Sequence, residues 1–216
     1  YPITVLRRMC RNFGKLQGAD IAFISDLPQA AGLSSSSAFM ISIFLSVAAR
    51  NNLYSNPVYT ANVKNNLELA AYLGTVENGQ NFGMLLGDRG VGTFGGSEDH
   101  TAIICSVPDK LSQFAYCPAR LERQLTVPSE LVFSVGFSGV TAEKTGAAQA
   151  EYNRAAFQLG ELVDIWQKFT GFEENYLADI LKSTSDAQKN LIRAVSQSEH
   201  SNYPRADLLR RLEHFT

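Results

Sequence analysis

The sequence predicts an α+β fold in two domains. Segments with strand character are mixed with amphipathic helical segments in no regular βαβ rhythm, which argues against a doubly wound parallel sheet. Composition also shifts near Pro128, and beyond Thr141 the chain becomes mostly helical. We therefore predict a first domain over 1–127 and a second domain over 128–216.

Helices are predicted where apolar residues recur at intervals of three and four. The first, over 3–13, stops at Gly14, and the second, over 34–51, is apolar on nearly all sides and is expected to be buried. Pro57 stands at a first helical turn and opens a helix that runs toward Glu77. In the second domain the predicted helices span 142–170, 174–199 and 204–215.

Strands are predicted where β-branched and apolar residues alternate or run together between turn residues. The predicted strands are 19–26, 101–107, 113–117 and 131–137. Seven glycines lie between residues 79 and 96, and no helical period survives there. We expect this glycine-rich segment to be a loop.

The composition argues against several classes of function. With 21 acidic and 19 basic residues, the chain has no electrostatic footprint for nucleic acid, and the pairs Arg7–Arg8 and Arg210–Arg211 are interpreted as solvated helix faces. Three cysteines without metal-ligand spacing indicate reduced thiols in an intracellular, cytoplasmic protein. No apolar run reaches the length of a membrane span, so no membrane partner is expected.

Four consecutive serines follow Gly32 and Leu33 at the predicted start of the second helix. The first N–H groups of a helix have no internal partners, and the helix dipole places partial positive charge at that end. A turn of small residues lets a phosphate reach those groups, and serine hydroxyls add donors. The alternative is a serine N-cap on a buried helix. One serine would satisfy a cap, so the run favours phosphate binding.

The same residues carry a family resemblance. Pro28-Gln29-Ala30-Ala31-Gly32-Leu33-Ser34-Ser35-Ser36-Ser37-Ala38 resembles the phosphate-loop motif Pro-x-x-x-Gly-Leu-Ser-Ser-Ser-x-Ala of the GHMP small-molecule kinases, and its triple serine is most similar to the galactokinase branch. The family usually carries glycine at Ala30, where alanine fits at negative φ but is strained at positive φ.

The resemblance implies a fold and a phosphate donor. It implies a ribosomal-protein-like N-terminal kinase domain followed by part of a ferredoxin-like C-terminal domain. It also implies ATP as the donor. The residues expected to bind its phosphates are Gly32, Leu33, Ser34, Ser35, Ser36 and Ser37.

A second informative stretch, residues 92–100, joins small residues to an acid–acid–imidazole cluster. By residue chemistry alone it is a general base, a metal ligand or a polar turn. It resembles the galactokinase segment Gly-x-Met-Asp-Gln, with Gly96 and Asp99 at the matching glycine and aspartate. The resemblance implies that Asp99 is the catalytic base and that Gly96 and Asp99 contact the substrate. Glu98 and His100 replace the methionine and glutamine, which indicates a divergent branch.

We call residues 30–37 the serine-rich turn. Phosphoryl transfer needs a metal ion, and the metal ion needs an acidic ligand near this turn. Glu77 resembles the magnesium-binding glutamate that precedes Gly-x-Met-Asp-Gln in the sugar kinases, and Ser36 is expected to supply a hydroxyl ligand. The gap from Glu77 to Asp99 exceeds the family's usual gap by about ten residues, an insertion of a size that surface loops tolerate. The alternative is a solvated glutamate near a helix end.

Residues 138–140 and 151–154 resemble a later galactokinase pattern, in which a strand ends in a small polar turn and a helix carries Tyr-Asn-x-Arg. The resemblance implies that Tyr152 contacts the sugar. The alternative is an ordinary half-buried helix tyrosine.

These observations together predict ATP- and Mg²⁺-dependent phosphorylation of a monosaccharide hydroxyl, that of galactose or a related sugar. The alternative is a galactokinase-like sugar sensor or pseudokinase that transfers no phosphate, but the presence of both Glu77 and Asp99 favours the enzyme. No Walker A sequence is present, which argues against a P-loop NTPase. A kinase of this kind requires the Asp99 side chain to lie within one bound sugar of the serine-rich turn.

The resemblance covers only the middle of a galactokinase-like kinase. The family's N-terminal sugar-binding segment has no counterpart in the printed sequence, and neither has its C-terminal glycine-rich motif. On this basis we expect the 216-residue chain to be inactive as a sugar kinase in isolation.

Overall fold

The computed structural model describes residues 1–28, 30–116, 118–141, 146–198 and 201–216. Helices and a two-stranded sheet make the fold α+β, as predicted. The chain divides into two compact units, Tyr1–Gln149 and Ala150–Thr216. The stretch 128–149 therefore belongs to the first unit, whereas the boundary at 127/128 concerns the family's domains and stays a prediction.

In the first unit, the first two helices have nearly the predicted bounds, whereas the later elements differ from the prediction. Its described helices and strands are α1 (Pro2–Phe13), α2 (Ser35–Arg50), α3 (Pro57–Asn62), α4 (Asn66–Asn78), α5 (Glu98–Cys105), β1 (Lys110–Ala115) and β2 (Arg120–Thr126). Gly14 ends α1 with φ 90°, and Pro57 begins α3, both as predicted. The single helix expected from Pro57 to Glu77 is interrupted, because Val63 is extended and Asn65 caps α4.

One apolar core joins α1, α2 and α4 in the first unit. Met40 and Phe44 of α2 are fully buried, and so are Tyr72 and Leu73 of α4. Burial of this much aromatic and aliphatic surface supplies most of the stability of such a unit, at about 1.5–3 kcal/mol for each large side chain. The core therefore fixes α2 against α4, the two helices that carry the predicted phosphate and metal residues.

The glycine-rich segment after α4 is a loop, as predicted, and it folds back onto the end of that helix. Gly79 ends α4 with φ 86°, and the Val91 N–H donates to the Glu77 carbonyl at 2.8 Å. A Cβ atom at Gly79, Gly87 or Gly90 would overlap the facing backbone. Glycine is therefore needed here for close backbone contact beside Glu77.

Two arginines of α1 hold this loop, contrary to the prediction of a solvated face. Arg8 is fully buried, and its Nη2 donates to the Gln80 carbonyl at 2.8 Å and to Thr75 Oγ1 at 3.2 Å. Burial lowers the pKa of Arg8. The Arg7 Nε lies 2.7 Å from Asp88 Oδ2. The prediction is wrong because both side chains have acceptors that the distant loop supplies.

Three predicted strands are not strands in the structure. Residues 19–26 and 131–137 have no regular structure, and Ile24 and Val132 are almost fully exposed. A strand needs a neighbour for its N–H and C=O groups, and neither stretch pairs with another described segment. Most of the predicted strand 101–107 is helical in α5 instead. The hairpin pairs Lys110–Ala115 with Arg120–Thr126, so the strand expected at 113–117 forms only in part and β2 was missed.

The second unit is a helical cluster with its own core. Its described helices are α6 (Gln149–Thr170, which begins at the last residue of the first unit), α7 (Leu177–Ser183), α8 (Ala187–Gln197) and α9 (Arg205–Glu213). Trp166, Ile180, Leu191 and Leu208 form its buried centre, and the Trp166 Nε1 donates to Glu174 at 3.1 Å. The helix predicted at 142–170 is present from Gly146, as a short 3-10 helix over Gly146–Ala148 that leads into α6. The single helix predicted at 174–199 is instead two helices, α7 and α8. Residues 142–145 and 199–200 lie outside the described residues.

The structure also bears on the expectations about membrane spans and cysteine thiols. Among the described residues, no helix combines the length and the apolar character needed to cross a membrane. Cys10 and Cys105 are free thiols, and burial raises the pKa of Cys105. Cys117 lies outside the described residues.

Candidate active site

The serine-rich turn enters α2 through residues in the left-handed region. Ser34 precedes the helix with φ 55° and its side chain makes no capping hydrogen bond. Ala30 has φ 52°, and Gly32 has φ 76°. The simple N-cap alternative therefore does not describe this turn, and the strain expected for alanine at positive φ is present at Ala30. The N–H groups of the first turn of α2 come directly after Ser34 in the chain.

The structure brings Ser37, Glu77 and Asp99 together. The Ser37 hydroxyl oxygen lies 3.0 Å from Glu77 Oε2 and 3.5 Å from Asp99 Oδ2. Ser37 is fully buried at the start of α2, Glu77 lies in the last turn of α4, and Asp99 lies in the first turn of α5. Asp99 is therefore at hydrogen-bonding distance from the serine-rich turn, as a kinase of the predicted kind requires.

Gly74 allows α4 and α5 to approach closely enough for this arrangement. A Cβ atom on Gly74 would lie 2.9 Å from Ser97 Cβ and 3.0 Å from Ser97 Cα. Ser97 precedes α5, so the missing side chain sets how near Asp99 comes to Glu77. The Asn78 Nδ2 also donates to the Gly95 carbonyl at 2.8 Å. Both contacts fix the start of α5 against the end of α4.

His100 adds an imidazole to the two carboxylates. It is 1% exposed, and its Nε2 lies 3.4 Å from Glu77 Oε2. Glu77 stands at the C-terminal end of α4, where the helix dipole disfavours a negative charge, and its side chain is only 13% exposed. Two carboxylates at this depth are electrostatically costly together, so the site favours a nearby cation or hydrogen-bond donors.

The donor atoms of this cluster fit a magnesium ion that arrives with a nucleotide. Carboxylate and hydroxyl oxygens are the ligands that Mg²⁺ prefers, and it commonly takes one or two carboxylates together with substrate phosphates. In the part of the chain that the structure describes, no group of three or more His, Cys, Asp or Glu side chains is arranged to hold a metal by itself. Glu77 and a serine hydroxyl could thus supply part of the coordination of such an ion.

The serine that meets Glu77 is Ser37, whereas the sequence predicts Ser36 for the metal role. Ser37 continues the buried stripe of Met40, Ile41 and Phe44, which lie three, four and seven residues further along α2 and face the core. This periodicity is visible in the sequence and could have singled out Ser37. Ser36 is only partly buried, and its proposed role is untested by this contact.

The other predicted site residues are not among the three that meet at Ser37. Gly96 precedes α5, and a Cβ atom there would overlap the Tyr116 hydroxyl. Tyr152 is 37% exposed on α6 in the second unit, so its role as a sugar contact stays a prediction. Gly32 and Leu33 lie in the serine-rich turn with Ser34, next to Ser35 in α2.

A cavity of about 560 Å³ lies between α5 and the hairpin, and no motif in the sequence indicated it. Glu98 and Thr101 line one side, and Leu111, Phe114 and Tyr116 line the other. Glu98 is next to Asp99 in the chain, so the cavity borders the candidate site without containing the predicted catalytic residue.

Comparisons with known proteins bear on the first part of this site. Residues 1–88 match the family model described as "GHMP kinases N terminal domain". Neither a curated protein nor a solved structure matches the chain. The matched segment includes the serine-rich turn, α2 and Glu77, whereas Asp99 lies beyond it. The comparison thus shows that residues 1–88 are similar to the N-terminal domain of the GHMP kinases.

Proposed function

We propose that the first unit transfers the γ-phosphoryl group of ATP to a hydroxyl group of a sugar, as a galactokinase does. The observation that carries the proposal is the contact of Ser37 with both Glu77 and Asp99, which lie 40 and 62 residues away in the chain. The start of α2, the candidate metal ligand Glu77 and the candidate base Asp99 therefore lie close together. Phosphoryl transfer needs those three elements close together.

The start of α2 would bind the phosphates of the nucleotide. α2 is 16 residues long, and the N–H groups of Ser35, Ser36 and Ser37 belong to its first turn. Such groups have no partner within the helix and carry partial positive charge. The preceding small-residue turn lets a phosphate approach the backbone.

Asp99 would orient the acceptor and take its proton. As the acceptor oxygen bonds to the γ-phosphorus, the bond from that phosphorus to the β–γ bridging oxygen breaks, and ADP leaves with its electron pair. The acceptor proton moves to Asp99. A positioned base of this kind contributes about 10²–10⁴-fold in rate.

Glu77, with the hydroxyl of Ser36, would hold the metal ion of the nucleotide. Bound Mg²⁺ supplies charge neutralisation at the phosphate oxygens. Glu77 is suited to this role because its carboxylate is largely buried beside a second carboxylate, where a cation offsets the repulsion.

The choice of a sugar as acceptor rests on the likeness of Gly96 and Asp99 to the galactokinase segment, and the same likeness proposes Tyr152 as a further sugar contact. The family match is coarser and supports a small-molecule acceptor. The departures at Glu98 and His100 favour testing several sugars rather than galactose alone.

The test is transfer of labelled γ-phosphate from ATP to a panel of galactose, related pentoses and uronic acids. It uses the natural protein that contains these 216 residues. We expect wild type to phosphorylate one sugar and Asp99→Asn to lose about 10²–10⁴-fold in kcat. Saturable sugar binding without transfer in both proteins would contradict the kinase and support the sensor.

A further inference from the structure

We propose that Ser37 and His100 are positioning residues that hold Glu77 Oε2 and so set the orientation of the metal-binding carboxylate. This inference rests on the proposed function and deepens its metal site. The family motif leaves the position of Ser37 open and has glutamine where this chain has His100. The pair is therefore a feature of this chain.

Two side chains approach the same oxygen of Glu77: the Ser37 hydroxyl at 3.0 Å and the His100 Nε2 at 3.4 Å. They come from α2 and α5, whereas Glu77 comes from α4. The carboxylate is thus contacted from two helices other than its own, by a hydrogen bond from Ser37 and by a longer contact from His100. A carboxylate has about four lone-pair sites on two oxygens, so these contacts are compatible with metal ligation by the same group.

Both partners of the carboxylate are buried. Ser37 and His100 are 0% and 1% exposed, in a core otherwise rich in apolar side chains. Apolar residues of similar volume would usually stabilise such a core as well or better than buried polar contacts. Polar groups that surround a candidate metal ligand at this depth are better explained by orientation of that ligand. Removal of such partners commonly costs about 10–100-fold in metal affinity.

Ser37 also links the candidate metal ligand to the candidate base. Its hydroxyl has one proton and lies near both Glu77 Oε2 and Asp99 Oδ2. One proton serves one acceptor at a time or is shared between them. When the hydroxyl is deleted, the two carboxylates lose the donor that lies between them, and their repulsion moves Glu77. The His100 Nε2, at 3.4 Å, makes a second and longer contact with the same oxygen.

The test measures nucleotide binding, not turnover. ADP affinity is determined by calorimetry with and without Mg²⁺, and the ratio of the two affinities is the metal-dependent gain. We expect Ser37→Ala and His100→Leu to reduce this gain by about tenfold or more. The metal-free affinity should change much less, because the backbone N–H groups at the start of α2 are retained in both variants. His100→Gln should retain most of the gain because its amide can donate to the same oxygen. Ser42→Ala, at an exposed serine of α2, should leave the gain unchanged.

The outcomes separate this proposal from the function on which it rests. If wild type shows the gain and both Ser37→Ala and His100→Leu keep it, the positioning role is overturned and the kinase site stands. If wild type binds no nucleotide, the proposed function fails as well. Thermal melts check that each variant is folded, and Ser37→Ala carries the test if His100→Leu is not.

Discussion

Ser37 shows how one residue can belong to a core and to a site at once. It lies on the buried stripe of α2, yet its neighbours across the helix interface are two carboxylates. A serine at this point keeps the helix packed and supplies a donor where an alanine would supply none. The same side chain therefore serves both the packing of α2 and the contacts within the candidate site.

The backbone of Ala30 offers a test of strain in the serine-rich turn. With φ 52°, alanine is in the left-handed region that glycine adopts without cost. We predict that Ala30→Gly raises the free energy of unfolding by about 0.5–1 kcal/mol. Gly32→Ala should lower it by about 1 kcal/mol, because no atom lies within 4 Å of the added Cβ and only the backbone is strained.

Chemical denaturation of the two variants measures both changes. Opposite signs at two neighbouring positions would confirm that backbone conformation is the cause. Equal destabilisation by both would mean that the turn does not have these dihedral angles.

The sequence located the site residues better than their contacts. Motif spacing identified Ser34–Ser37, Glu77 and Asp99, and the structure brings three of these residues together. It did not identify Ser37 as the contact of Glu77, because the motif treats that position as variable. Nor did it find the roles of Arg8 and Gly74, since their partners are distant in the chain.

At the scale of elements, α5 shows how packing and the helix dipole can override β propensity. The stretch from Thr101 is typical of a strand because of its β-branched residues. Glu98 and Asp99 lie in the first turn of the helix, where acidic residues interact favourably with the dipole. Packing of this helix on α4 then decides the outcome. The acidic pair was a helix signal that the strand prediction passed over.

Gly74 makes that packing testable. We predict that Gly74→Ala lowers the free energy of unfolding by about 1–3 kcal/mol, because the added methyl group meets Ser97 and forces α5 away. The same displacement should reduce the metal-dependent gain in ADP affinity. Gly160→Ala is the matched control in α6: no atom lies within 4 Å of the added Cβ, and helix propensity should raise the stability by about 0.5–1 kcal/mol.

The ion pair between α1 and the glycine-rich loop predicts a pH dependence. Burial raises the pKa of Asp88, but hydrogen bonds from Arg7 and Gly90 and the charges of Arg7 and Arg8 outweigh it and hold that pKa below its usual value. The unfolded chain therefore takes up this proton first as the pH falls. The contribution is complete well above pH 4 and is lost as the pH falls through the lowered value.

We predict that Asp88→Asn costs about 1–3 kcal/mol of unfolding free energy at neutral pH. The difference from wild type should shrink as the pH is lowered below about 4. Urea titrations at a series of pH values measure it. A difference that stays constant down to pH 3 would rule out the ion pair as the source of the effect.

At the scale of the whole molecule, the α+β class followed from composition and periodicity, but most of the strands did not. Strand assignments at 19–26 and 131–137 failed because a strand is a property of a pair, and no described segment pairs with either. Long helices were easier to predict, since their hydrogen bonds are internal and their apolar period is local.

Separate cores predict separable effects of core mutations. Leu191 is fully buried in the core of the second unit, and Trp166, the only tryptophan in the sequence, lies in the same core. Leu191→Ala should cost about 2–5 kcal/mol in the transition followed by Trp166 fluorescence. We expect no change in ADP affinity, which belongs to the first unit. If Leu191→Ala lowered the ADP affinity together with the stability followed by Trp166 fluorescence, the two cores would not act separately.

The central claim is that nucleotide phosphates bind where α2 begins, beside Glu77 and Asp99. The most direct measurement is an NMR titration of the ¹⁵N-labelled chain with ADP, followed by trace Mn²⁺. We predict that ADP shifts the amide signals of Ser35, Ser36 and Ser37, and that Mn²⁺ broadens those of Ser37, Glu77 and Asp99 first. Binding of ADP and Mn²⁺ that leaves these amides unchanged, and alters signals elsewhere, would contradict it.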